Sequence, residues 1–107
     1  MVSNDNPVRV IDVFVDSLDC KSMRFRYSIP KVVGRKPYNP ADMLKLYIYG
    51  YFNAIRSSRK LETECKRNIE LMWLLNELKP DYRSIADFRK DNITALKQVY
   101  NHFSMFL

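Results

Sequence analysis

The sequence predicts an all-α fold, a compact bundle of about five helices, and three observations support this. Apolar side chains recur at spacings of three and four residues in several segments, each of which begins near a residue that favours a helix N-terminus. Only 2 of the 107 residues are glycine, which disfavours a turn-rich all-β fold. Hydrophobic residues make up 47% of the chain, enough for one modest core. Residues 1–107 are therefore expected to form a single domain.

The first helix is predicted over residues 7–19. Pro7 suits the first turn, because its missing N–H would have no helical partner there, and Asn6 or Asp5 would cap the helix. Many of the apolar residues are β-branched, so a strand is the alternative. Their spacing favours a helix.

The central helix is predicted over residues 39–56, with Asn39 as the N-cap and Pro40 as the first residue. Apolar residues cover most of its circumference, which indicates a helix buried between others. Glycine inside a helix lowers stability by about 1 kcal/mol relative to alanine. Gly50 therefore suggests a place where another helix crosses so closely that a larger side chain would not fit. Three tyrosines lie in alternate positions, Tyr47, Tyr49 and Tyr51. They would suit a base-stacking surface, but core aromatics with hydroxyls at the rim are the favoured interpretation.

A third helix is predicted over residues 57–67, capped by Ser57 or Ser58. Leu61 and Cys65 are four residues apart and therefore share the face that points to the core. A buried and inert thiol is the favoured interpretation of this cysteine. The basic neighbours of the thiol would favour a reactive one.

A short apolar helix is predicted over residues 69–78, with Trp73 as its core anchor. The segment Lys79-Pro80-Asp81 would end it, because the residue before a proline is pushed out of the helical region. The last helix is predicted over residues 84–107, where Ser84 and Asp87 resemble a capping box. Its apolar C-terminal end suggests either a chain trimmed from a longer protein or a helix end packed against a partner. In the second case this helix could support a homo-oligomer.

Residues 21–38 are predicted to form a basic arm or loop. No acidic residue occurs between Cys20 and Ala41, and Pro30, Gly34 and Pro37 interrupt any regular element. Six cations lie in this stretch: Lys21, Arg24, Arg26, Lys31, Arg35 and Lys36. A solvated connector and an arm lying along a phosphate backbone are equally compatible with this pattern.

The composition argues against several classes of function. Two cysteines and one histidine, His102, are too few for a typical zinc site, and the acidic residues sit in caps or beside cations rather than as a metal-binding cluster. We therefore expect no metal, no cofactor, no small-molecule substrate and no catalysis by this chain. No signal peptide and no apolar run of about 20 residues is present, so the expected location is cytoplasmic and no membrane partner is expected.

The net charge of +6 instead suggests a polyanionic partner. Helix-turn-helix domains place the first turns of one helix in the DNA major groove, and the last predicted helix would fit that role. Arg83 precedes its cap, and Arg89 and Lys90 follow within two turns. The alternative is that Arg89 pairs with Asp87 or Asp91 nearby, or with an acid on another helix. The candidate DNA-binding residues are Arg35, Lys36, Arg56, Arg59, Lys60, Lys66, Arg67, Arg83, Arg89 and Lys90.

Four linked segments resemble one known family. They are Gly34 to Pro40 (GRKPYNP), Ile55 to Glu62 (IRSSRKLE), Arg67 to Leu74 (RNIELMWL) and Ile85 to Arg89 (IADFR). In this order they resemble the N-terminal domain of bacterial insertion-sequence transposases of the InsH-like group. In that family a helical domain precedes an RNase H-like DDE catalytic domain, which is expected to be absent from this chain.

The resemblance implies that the partner is double-stranded DNA, at the terminal repeats of the transposon. It also implies that the catalytic acids belong to a later domain, so this chain alone would not cleave DNA. The alternative function is a protein-interaction or oligomerisation module of the transposase. If DNA binding is correct, charge reversal at Arg89 and Lys90 should weaken it more than reversal at Lys97, which is expected to lie farther from the recognition turn.

Overall fold

The computed structural model describes residues 6–18 and 38–106, and within these ranges the regular structure is helical. Six helices follow one another: α1 (Pro7–Asp16), α2 (Pro40–Phe52), α3 (Ser58–Arg67), α4 (Ile69–Leu74), α5 (Tyr82–Asp91) and α6 (Ile93–Phe106). The predicted all-α class is thus confirmed. The predicted basic arm, apart from Tyr38, lies outside the described residues, and so do Arg35 and Lys36.

Side-chain caps define where the first three helices begin. Asn6 Oδ1 accepts a hydrogen bond from the Val8 amide at 3.0 Å, and Asn39 Oδ1 accepts from the Ala41 amide at 2.8 Å. The Ser57 hydroxyl accepts from an amide in the first turn of α3. Each cap satisfies an amide that has no partner within its helix. The three predicted N-termini are therefore confirmed, and Ser57 rather than Ser58 is the α3 cap.

The central helix is shorter than predicted, because α2 ends at Phe52 rather than at residue 56. Ala54 adopts a left-handed φ of 58°, and the Ile55 amide donates to the Gly50 carbonyl at 2.8 Å. This is a Schellman motif, which usually has glycine at the left-handed position. Alanine occupies it here, so the sequence carries no clear signal for the end of the helix.

The fourth helix ends early in the same way. It stops at Leu74 rather than at residue 78, and Asn76 and Glu77 have φ values of 52° and 65°. The Glu77 amide donates to the Met72 carbonyl at 2.8 Å. Seven residues therefore separate α4 from α5, and the turn begins before the Lys-Pro-Asp segment.

The prediction of a single last helix over residues 84–107 is wrong, because two helices, α5 and α6, occupy that region. Asn92 separates the two helices with a φ of −130°, and its side-chain Nδ2 donates to the Phe88 carbonyl at 2.9 Å. The N-cap is Asp81 rather than Ser84, whose amide and hydroxyl both donate to the Asp81 carboxylate at 3.1 and 2.7 Å. Ser84 is itself buried inside the first turn. Arg83 consequently lies within α5 rather than before it.

The core is built around α2, which packs against α1, α4 and α6, while α3 packs against α4 and α5. Met43, Leu44, Leu46 and Ile48 are fully buried, and so are Leu61 and Cys65 as predicted. Of the three tyrosines, Tyr47 and Tyr49 are core residues as favoured, whereas Tyr51 is 49% exposed.

The predicted role of Trp73 as a core anchor is wrong. Its side chain is 39% exposed, and the Arg9 guanidinium lies over its ring at 5.2 Å. Leu71, Leu74 and Leu75 fill the core instead, because the six residues of α4 can turn only one face inward. None of the helices in the two described ranges combines the length and the apolar character that a bilayer-spanning helix needs.

Candidate nucleic-acid interface

The outer face of α5 carries two cations around a small residue. Arg83, Ala86 and Lys90 follow a spacing of three and four residues and are all exposed, whereas Ile85 and Phe88 are buried on the opposite face. Arg83 and Lys90 are two turns apart, so about 10.5 Å of helix axis separates them. The face is therefore basic at both ends and narrow in the middle.

The N-terminal end of α5 meets α3 through a half-buried aromatic ring, that of Tyr82. The Arg59 guanidinium of α3 lies 4.4 Å from the centre of the Tyr82 ring, and the Arg83 guanidinium lies 5.9 Å from it. Arg83 Nε also donates to the Tyr82 hydroxyl at 3.3 Å. This hydrogen bond and the positive charges of Arg83 and Arg59 lower the pKa of Tyr82. Two guanidinium groups are thus gathered on one phenol.

Two carboxylates hold this end of α5 in place. Glu62 of α3 accepts a hydrogen bond from the Tyr82 backbone amide at 3.0 Å, and Asp81 caps the helix. Burial alone would raise the pKa of Asp81, but hydrogen bonds from the Ser84 hydroxyl and from backbone amides outweigh it and lower the pKa. Both acids therefore accept hydrogen bonds from backbone amides at the start of α5.

The exposed side of α3 extends the basic surface. Arg59, Lys60 and Arg67 line a shallow depression of about 470 Å³ together with Thr63. Arg67 Nε lies 3.9 Å from a Glu64 oxygen, a distance that gives a weak ion pair on an exposed side chain. We call this combined surface the α3–α5 face. Its cations are Arg59, Lys60, Lys66, Arg67, Arg83 and Lys90.

A second basic feature is a hollow between α2, α5 and α6. It has a volume of about 350 Å³, and Arg56, Arg89 and Lys97 line it. Its wall includes Tyr51 and Tyr100, whose rings stack in parallel at 4.5 Å with an interplanar angle of 7°. We call this feature the tyrosine hollow.

The hollow and the α3–α5 face divide the predicted site between them. Arg83, Arg89 and Lys90 were predicted to act together on one recognition helix, but Arg89 leaves α5 on the edge that faces α6 and lines the tyrosine hollow. Lys97, which was expected to lie farther away, lines the same hollow as Arg89. The chain turns at Asn92 and brings α6 beside the end of α5, so Arg89 and Lys97 share this hollow. The expected difference between them in DNA binding stays a prediction.

Most of the predicted cations are not neutralised by neighbouring acids. Apart from Arg67, those between Arg56 and Lys90 form no ion pair with an acid in residues 6–18 or 38–106. By contrast Lys45, which was not predicted as a site residue, lies 2.7 Å from Asp12.

Four contributors escaped the sequence analysis: Tyr82, Ala86, Lys97 and Tyr100. The spacing Arg83, Ala86, Lys90 was a usable signal, because it marks one exposed stripe of a helix. Tyr82 carried no such signal, because it falls between the helices predicted over residues 69–78 and 84–107, whereas α5 begins at Tyr82. Tyr100 and Lys97 depend on the position of α6, which required the break at Asn92 to be known.

Metal-ligating residues and the cysteine thiol were candidates for chemistry in the sequence. No group of three or more His, Cys, Asp or Glu residues able to hold a metal occurs there. Cys65 is buried, and burial raises the pKa of its thiol to about 12. It is the inert thiol that was favoured. Cys20 lies outside the described residues.

Comparison with known proteins supplies the family. A family model described as a transposase domain (DUF772) matches residues 1–91, which include α1 to α5. Neither the curated proteins nor the solved structures contain a match to this chain. The matched region covers most of the chain and confirms the resemblance seen in the sequence. The chain belongs to the DUF772 transposase domain family, consistent with the N-terminal domain of an insertion-sequence transposase.

Proposed function

We propose that this domain binds double-stranded DNA at the terminal repeats of a transposon, in the bacterial cytoplasm, and that it has no catalytic activity of its own. The α3–α5 face carries the proposal. Its cations are exposed and largely without acidic partners in the described residues, and the guanidinium groups of Arg59 and Arg83 converge on Tyr82. Such a surface suits the phosphate oxygens of a duplex.

The shape of α5 suits a groove. A helix fits the major groove, which is about 12 Å wide, and Ala86 leaves room for its axis to approach the bases. Arg83 in the first turn could read guanine through two parallel hydrogen bonds, and Lys90 could hold a phosphate. Because α3 packs against both α4 and α5, these three helices would act together as a helix-turn-helix-like unit.

The test is fluorescence anisotropy with a labelled terminal-repeat duplex and a shuffled duplex of equal length. We expect the terminal repeat to bind more tightly, and Arg83→Gln to weaken binding about tenfold and to reduce the preference between duplexes. Lys90→Gln should weaken binding to both duplexes by similar factors, because a phosphate contact carries no sequence information.

A matched control removes one charge elsewhere. Arg9 lies on α1, which packs against α2 and α4 rather than α5, so Arg9→Gln should leave DNA binding within about twofold of the wild type. Equal losses for Arg9→Gln and Arg83→Gln would mean that net charge, and not the α3–α5 face, attracts the DNA. Failure of the unmodified domain to bind either duplex would refute the proposal.

A second candidate function is self-association, as part of the transposase. Val13 is 61% exposed, Met105 84% and Phe106 49%. Val13, Trp73 and Phe106 line a hollow of about 390 Å³ between α1, α4 and the end of α6. Grouped exposed apolar side chains favour a protein contact, and a homodimer would bury them by symmetry.

Light scattering with wild type and with a Val13→Glu, Phe106→Ser variant tests this candidate. We expect a dimer at tens of micromolar for the wild type and a monomer for the variant. A wild-type monomer at that concentration would exclude self-association through this surface. DNA binding by that monomer would leave the first proposal intact.

A further inference from the structure

The tyrosine hollow combines three properties that a binding site for one nucleotide needs. Its floor is apolar, with Ile55, Ile93 and Leu96 at its base. Its wall holds the stacked ring pair of Tyr51 and Tyr100. Its volume of about 350 Å³ lies within the range of pockets that bind small ligands.

The charges around the hollow suit a phosphate. Arg56 comes from the turn after α2, Arg89 from the last turn of α5 and Lys97 from α6, so three elements each supply one cation. The positive charge of Arg89 acts on the hydroxyls of both Tyr47 and Tyr100. Burial raises the pKa of both hydroxyls and the Arg89 charge opposes that rise, so Arg89 lies near this aromatic wall. None of the three cations forms an ion pair with an acid of the described residues.

The hollow borders the surface that we assign to the duplex, because Ile55 lines both the hollow and the depression on α3, but the cations of the two features are different residues. It opens beside α6, whereas Arg83 and Lys90 lie on the outer stripe of α5. A base paired within a duplex is stacked on both sides and cannot place its ring against a protein tyrosine. An unpaired base can, and every base offers a flat face for such stacking.

We propose that the tyrosine hollow binds one unpaired nucleotide of a DNA strand, with the base against the Tyr51 and Tyr100 rings and the phosphate held by Arg56, Arg89 and Lys97. The inference rests on the proposed DNA-binding function and adds a second, single-stranded element to the DNA that the domain prefers. DNA with a one-nucleotide overhang should bind roughly tenfold more tightly than the same blunt duplex, because stacking of one base on an aromatic ring is worth a factor of this order.

The test compares blunt and overhang duplexes, with 2-aminopurine as the unpaired base so that stacking can be read from its fluorescence. Ile93 is 41% exposed at the start of α6, and Ile93→Trp would fill the hollow without removing charge. Tyr100→Ala removes the ring, and Tyr100→Phe keeps it. We expect the overhang advantage to vanish in Ile93→Trp and in Tyr100→Ala and to persist in Tyr100→Phe, while all four proteins bind the blunt duplex equally.

The outcomes separate the two proposals. Equal affinity of the wild type for blunt and overhang DNA overturns the hollow assignment and leaves duplex binding standing. Retention of the overhang advantage in Ile93→Trp also overturns it, once circular dichroism shows that this variant is folded. Loss of affinity for both duplexes in Ile93→Trp would make the hollow part of the duplex surface, which again contradicts the assignment. Binding of overhang DNA without any binding of blunt duplex would refute the proposed function and support the hollow.

Discussion

Replacing Gly50 with alanine tests the turn that joins α2 to α3. A Cβ atom on Gly50 would lie 2.8 Å from the Ile55 carbonyl oxygen and 3.1 Å from Leu61 Cδ2. The first contact is closer than real Cβ atoms tolerate, and the atom it meets belongs to the backbone. The Gly50 carbonyl also accepts the Ile55 amide at 2.8 Å, so the turn has no easy way to move aside.

The magnitude follows from two opposing effects. Overpacking of a tight site costs about 1–3 kcal/mol, and this site is at the upper end because a carbonyl group must shift. Alanine is favoured over glycine inside a helix by about 1 kcal/mol. The net destabilisation of Gly50→Ala should therefore be about 2 kcal/mol. For a domain of this size that corresponds to a fall in Tm of roughly 10 °C.

The neighbouring residue provides the matched control. Ala54 holds a left-handed φ of 58° in the same turn, a conformation that costs an L-residue about 1 kcal/mol and glycine almost nothing. Ala54→Gly should therefore stabilise the domain by up to about 1 kcal/mol, less the greater chain entropy of glycine in the unfolded state. Urea denaturation followed by circular dichroism measures both variants. A Gly50→Ala protein as stable as the wild type would refute the close approach of α2 to this turn.

Three further predictions concern stability and reactivity. Asp81→Ala should destabilise the domain by about 1 kcal/mol at pH 7. Because the pKa of Asp81 is lowered on folding, its contribution to stability is complete above the unfolded pKa near 4 and is lost as pH falls through the folded value. The urea midpoints at pH 7 and pH 2 should therefore differ less in the variant than in the wild type. Burial raises the pKa of the Cys65 thiol to about 12, so in a Cys20→Ser variant this thiol should resist a thiol reagent at pH 8 until urea unfolds the chain. Fast labelling of the folded protein would contradict its burial. Lys45→Gln should lower the free energy of unfolding by about 1 kcal/mol, because the ammonium group is half-buried between Asp12 and Asp16. Thermal denaturation measures this, and an unchanged Tm would show that the ion pairs do not stabilise the fold.

The N-termini of α1, α2 and α3 were predictable from the sequence, whereas the starts of α5 and α6 and several C-termini were not. Asn6, Asn39 and Ser57 are residues whose side chains cap a helix directly, so their positions identify the starts of α1, α2 and α3. The ends of α2 and α4 depend on left-handed residues that are usually glycine, and here Ala54 and Asn76 take that role. Alanine is unusual at such a position, so the local sequence did not mark the end of α2, whereas asparagine is a known substitute for glycine there and was a usable signal for the end of α4.

The composition of the candidate interface was predictable, and its grouping was not. The sequence shows more cations than acids, and the predicted site cations from Arg56 to Lys90 are all exposed. Their division into two surfaces depends on the break at Asn92, a buried asparagine that bonds back to Phe88. Nothing in an apolar pattern that continues through this position distinguishes one long helix from two. The separation of Arg89 from Arg83 and Lys90 followed only once that break was known.

The most direct test of the account is the salt dependence of binding to terminal-repeat DNA. If about five phosphates are neutralised, the logarithm of the association constant should fall with the logarithm of salt concentration at a slope near −4.5. Arg83→Gln and Lys90→Gln should each make the slope shallower by about 0.9, and Arg9→Gln should leave it unchanged. A flat titration, or three variants with the same slope as one another, would contradict a basic α3–α5 face shaped for a duplex.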